Sequence, residues 1–129
     1  MDYTAAISLN PEDEIAYHNR AGDYIKLGKF PKAIADLTKA IKLDPTRNDF
    51  YYSRAEAKLG LNNIIGAAAD YKHIIKLKPD DALAHYNRGI CYANIELKNN
   101  ACADFIKAGD LGLFEAYEII KKYCNDDEK

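Results

Sequence analysis

The ten residues Asp36–Pro45, DLTKAIKLDP, return 34 positions later as Asp70–Pro79, DYKHIIKLKP, and stand 34 positions earlier as Asp2–Pro11, DYTAAISLNP. One phrase met three times at one spacing leaves little choice of fold. Each copy reads as the end of an amphipathic helix, with its apolar positions on one stripe and a proline as the stop. A period of 34 residues marks a helix–turn–helix unit that stacks on copies of itself to cover its apolar side.

Taken in order, the chain opens on half a unit, residues 1–11, with Tyr3, Ala6, Ile7 and Leu9 expected on one face. Pro11, Glu12 and Asp13 read as a turn that caps the next helix. The first full repeat spans 14–47. Its first helix, AYHNRAGDYIKLG, ends at Gly28, a left-handed C-terminal cap, and Pro31 falls in the first turn of the second helix. Repeats two and three span 48–81 and 82–113. The pattern loosens in the third, where Lys98 stands in the phase of Phe30 and Ile64, and Leu113 in that of Pro45 and Pro79. Residues 114–124, apolar on one side with Glu115, Glu118, Lys121 and Lys122 on the other, read as a capping helix. A charged, frayed tail is expected over 125–129.

Composition narrows the function. With 129 residues and 48% hydrophobic content, the chain is long enough for one packed domain. A net charge of −2 gives no electrostatic reason to expect nucleic acid or an anionic membrane. No apolar run approaches the roughly 20 residues of a membrane span, and no signal peptide is read at the start. Cys91, Cys102 and Cys124 have neither CxxC spacing nor a disulfide framework, so they are expected as small core residues of a reduced, cytoplasmic protein.

The period extends to single positions. Tyr17, Tyr51 and His85 share one phase, followed by Arg20, Arg54 and Arg88 and by Ala21, Ala55 and Gly89. Tyr24 and Tyr92 share the next, with Lys58 as the departure. The second helices align Ala33, Ala67 and Ala101, then Leu37, Tyr71 and Phe105, then Ala40, Ile74 and Ala108. Across almost its whole length the chain resembles the tetratricopeptide repeat (TPR) family. That resemblance implies an all-α fold, a right-handed α-solenoid of one half repeat, three full repeats and a C-terminal capping helix. The arginines could form a basic ladder, but Asp36, Asp70 and Asp104 keep the same period, so structural ion pairs are the expectation.

The resemblance also implies a protein-interaction scaffold, with the first helix of each repeat lining a concave groove that holds a peptide or partner segment. Mapped here, that face carries Ile15, His18, Asn19 and Gly22, then Asp49, Tyr52, Ser53 and Glu56, then Leu83, Tyr86, Asn87 and Ile90. The i, i+3, i+4, i+7 spacing does put each set on one helix face. Asn19 and Asn87 could both donate to and accept from a peptide backbone, and Tyr52 and Tyr86 are interface-type anchors. A plain solvated face accommodates the same residues. The TPR subclass that holds chaperone C-terminal carboxylates needs Lys and Asn, then Asn, then Lys and Arg. Here those positions hold His18 and Gly22, Ser53, and Leu83 and Asn87, which speaks against such tails. Self-association is the alternative: a module of a longer TPR protein forming a homodimer through the half repeat. No enzyme is expected. His18, His73 and His85 lack zinc-helix spacing, no phosphate loop or nucleophile elbow is present, and no cofactor or metal is implied.

Overall fold

A computed structural model of the chain describes residues 3–125, and these are all-α, with no strand among them. The helices are α1 (Tyr3–Leu9), α2 (Glu14–Lys26), α3 (Phe30–Leu43), α4 (Asn48–Gly60), α5 (Ile64–Leu77), α6 (Ala82–Asn94), α7 (Lys98–Asp110) and α8 (Glu115–Ile119). A π-helical turn, Ile120–Cys124, continues α8. Asp2 and tail residues 126–129 lie outside the described residues.

Local chemistry sets the helix ends. Asp13 precedes α2, and its carboxylate accepts from the N–H groups of Ile15 and Ala16, both at 3.1 Å. Asp81 does the same for Ala84 ahead of α6. Arg47, in the same phase, makes no side-chain cap bond. The turns after α2, α4 and α6 each place one residue in the left-handed region, Gly28 at φ 74°, Asn62 at 58° and Glu96 at 64°.

Two compact units result, Met1–Asn63 and Ile64–Lys129. In the first, α2 packs on α1 and α3, and α3 packs on α4. Ala21, Ala33, Leu37 and Ala57 are fully buried, with Tyr24, Ile25, Phe30 and Ile34 around them. Alanines bring the helices close and the larger side chains fill the space beside them. Within α1, Tyr3, Ala6 and Ile7 are half-buried, but Leu9 is 89% exposed. This corrects the expected stripe: two residues beyond Ile7 is about 200° round a helix, off the covered face.

In the second unit α6 packs on α5 and α7, and α7 packs on α8 and the π turn. Phe105, Ile74, Cys91, Ala101 and Ala108 form its interior. Gly89 lies so close to α7 that an added β-carbon would sit 2.7 Å from the Phe105 ring. The end of the chain is held more lightly. Ala116 is buried and the Tyr117 hydroxyl donates to the Gly109 carbonyl at 2.8 Å, whereas no residue of Ile120–Cys124 is buried.

The cysteine expectation fails for two of three residues. Cys102 on α7 and Cys124 on the π turn form a disulfide, their Cα atoms 5.8 Å apart, while Cys91 is free and buried. The reason is the fold-back of α8 and the π turn onto α7, which brings together residues 22 apart in sequence. The cytoplasmic expectation loses its thiol premise with it.

Candidate functional site

Repeating ion pairs stiffen the helices that carry the candidate residues. Arg20 on α2 grips Asp36 on α3 with both ends of its fork, Nε to Oδ2 at 2.8 Å and Nη2 to Oδ1 at 2.6 Å. Arg88 on α6 holds Asp104 on α7 in the same way, with both bonds at 2.8 Å. Such bidentate geometry suits a planar guanidinium and adds orientation as well as energy. Hydrogen bonding to Asp104 raises the Arg88 pKa against the opposing effect of burial. The guanidinium carbons of Arg20 and Arg88 also lie over Tyr24 and Tyr92, at 5.7 and 5.6 Å from the ring centres. Arg54 lies over Tyr51 and donates to Thr38 at 3.3 Å, and Asp70 is buried.

His85 occupies the tyrosine phase and does a tyrosine's work. The Tyr51 hydroxyl donates to the Pro45 carbonyl at 3.2 Å, and His85 Nε2 meets the Pro79 carbonyl at 2.9 Å. A carbonyl only accepts, so Nε2 is the donor in this bond. Nδ1 is buried without a hydrogen bond, 3.8 Å from Asp104 Oδ1.

The first unit contributes His18 and Asn19 from α2 and Tyr52, Ser53 and Glu56 from α4. The structure brings two of these together, His18 Nε2 lying 3.1 Å from Ser53 Oγ. The His18 ring also lies 5.0 Å from that of buried Phe50, which fixes it from below. Arg47 covers the Phe50 ring at 4.9 Å and forks onto Asp49 at 3.1 and 2.7 Å. Burial pushes the Asp49 carboxyl up, but the Arg47 hydrogen bond and charge outweigh it, with His18 adding, and hold it below its ordinary pKa. Asn19 and Glu56 are exposed, and Tyr52 is half-buried.

The second unit contributes Tyr86, Asn87 and Ile90, all half-buried on α6. Tyr86 packs on Phe105 with ring centres 5.6 Å apart, and Phe105 meets Tyr123 edge-on at 6.3 Å. A trough of about 330 Å³ lies elsewhere in this unit, lined in part by Ile65, Lys72, Tyr92 and Leu97, and no candidate residue borders it. The aromatic file Tyr86–Phe105–Tyr123 was not read from the sequence. The signal available was Phe105 recurring in the phase of Leu37 and Tyr71. No group of three His, Cys, Asp or Glu side chains among the described residues could hold a metal ion, and no helix is long and apolar enough to cross a membrane.

Two models of the tetratricopeptide repeat match this sequence, over residues 15–47 and 52–105. No curated protein matches it. Among solved structures, a crystal structure of MamA aligns with a TM-score of 0.88 at 21% identity, covering 98% of this chain and 75% of that one. The first TPR of Spaghetti (RPAP3), bound to the HSP90 peptide SRMEEVD, aligns at 0.79 and 23% identity, covering 90% and 94%. The Arabidopsis OM64 TPR domain aligns at 0.78 and 24%, covering 88% and 96%. At these identities the likeness is one of fold, an all-α helical-repeat solenoid.

Proposed function

Because the chain belongs to the tetratricopeptide repeat family, we propose that this protein-interaction scaffold holds a partner's peptide segment in a groove lined by the first helices of its repeats. The residues assigned to that role are His18, Asn19, Tyr52, Ser53, Glu56, Tyr86, Asn87 and Ile90. One observation carries the reading. Every one of them keeps solvent access, while Ala16, Ala21, Tyr51, Ala55, Ala84 and Gly89 on the same helices are buried. The helices thus spend their small and packing side chains inward and leave amides, hydroxyls and aromatic rings for a ligand. A neighbour of the same fold holds a peptide, which supports the kind of ligand and not its identity. That ligand, SRMEEVD, is acidic, whereas the residues proposed here include no lysine or arginine and present the exposed carboxylate of Glu56. The partner segment is therefore neutral or basic where it passes Glu56.

The test is capture of a partner by the wild-type chain against Asn19→Ala/Asn87→Ala, with helicity checked by circular dichroism. Each lost amide removes about 1 kcal/mol, so the pair weakens binding about 30-fold. A partner held equally well by the folded double variant removes the reading.

A second reading is favoured by α1, which contains no buried residue and ends on the 89% exposed Leu9. The exposed Leu9 and the partly covered face of α1 would pair with a second copy.

A further inference from the structure

We propose that the Cys102–Cys124 disulfide is a redox clasp: oxidised, it holds Tyr123 against Phe105, and reduced, it frees the turn Ile120–Cys124 and uncovers the apolar wall beside Tyr86. The inference does not depend on the peptide-binding reading.

The segment it fastens has little else to hold it. None of its five residues is buried, and its one aromatic ring, Tyr123, lies edge-on to Phe105 at 6.3 Å and under the Lys98 ammonium at 5.4 Å. A π-helical turn is also a rare conformation, met mostly as a single turn within an α-helix. The preceding helix is anchored independently through buried Ala116 and the Tyr117–Gly109 hydrogen bond. Release therefore has a natural boundary after Ile119. Both bonded cysteines are only half-buried. The third cysteine is the internal contrast. Cys91 is 1% exposed, and burial pushes its thiol up to about 11, which leaves it inert to exchange.

The chemistry is thiol–disulfide exchange with a dithiol. One thiolate of the dithiol attacks a cystine sulfur and expels the other cysteine as thiolate. Its second thiol then displaces the protein from the mixed disulfide. Two electrons and two protons end on Cys102 and Cys124, and the dithiol leaves oxidised. The packing of Tyr123 on Phe105 is what changes. Phe105, fully buried in the clasped form, loses one of its neighbouring rings and keeps Tyr86.

Lys121 and Lys122, exposed on the clasped turn, make the test direct. The full chain is digested briefly with trypsin in its oxidised form and after dithiothreitol, then acid-quenched and reduced before its fragments are weighed. Cleavage after Lys121 or Lys122 should rise at least tenfold on reduction, with cleavage after Lys39 and Arg54 unchanged. Cys102→Ser should show the fast rate in both conditions, and Cys91→Ser should behave as wild type. Binding of the dye ANS should rise on reduction, and oxidised Tyr123→Ala should match that rise. Equal rates in both forms, acceleration at all sites together, or a wild-type mass showing no loss of two hydrogens under oxidised glutathione would each overturn the clasp.

Discussion

Glu96 sits at φ 64° in the turn after α6, in the phase that Gly28 occupies at φ 74° after α2. A β-carbon in the left-handed region costs about 1 kcal/mol, and glycine escapes that cost. Glu96→Gly should therefore stabilise the chain by about 0.5–1 kcal/mol, after glycine's larger unfolded-state entropy is counted. A thermal melt should show the midpoint rising by about 2–4 °C. A midpoint that stays or falls would mean that the glutamate side chain offsets its own strain. The site is legible from the period, since Glu96 is two 34-residue steps from Gly28. Residue identity alone hides it, because glutamate is ordinarily read as a helix former and not as a turn residue.

Ion pairs of similar appearance carry different weight according to the elements that hold them. The Arg88–Asp104 side chains are 20% and 6% exposed, whereas Arg47 and Asp49 are 40% and 46% exposed. Arg88→Gln strips the buried Asp104 carboxylate of its guanidinium, with His85 Nδ1 3.8 Å away, and should cost about 2–3 kcal/mol. Arg47→Gln should cost no more than about 0.5 kcal/mol. Urea unfolding of the two variants measures the contrast, and equal losses would show that burial does not set the weight of these pairs. Recurrence of Arg and Asp at a common period was visible in the sequence because pairing along a repeat needs only fixed phase. The disulfide was not visible. Its partners share no phase, and the fold-back that joins them depends on the cap after residue 113, where Leu113 replaces the proline and the periodic signal stops. Leu9 misleads for a related reason, since a seven-residue helix has too few turns to define a stripe by eye.

At the scale of the molecule, fold class follows from spacing: many positions obeying one period demand like helical hairpins, and all-α repeats are what the chain forms. The face left to solvent is also a matter of phase. The side chains on that face repeat only in part, as Asn19 with Asn87 and Tyr52 with Tyr86, and so a partner's identity stays local to positions such as His18 beside Ser53. The exposed Leu9 at the end of α1 supplies the prediction at this scale. Light scattering over a concentration series should give a mass that climbs toward two chains for the wild type and stays at one for Leu9→Glu; a strict monomer at high concentration ends the self-association reading. One earlier detail reaches furthest. Tyr51 and His85 satisfy corresponding proline carbonyls, those of Pro45 and Pro79, with unlike rings. What the second and third repeats demand there is an outline with a single proton donor at its far tip. Either spelling of that position tethers the start of its own helix to the loop before it.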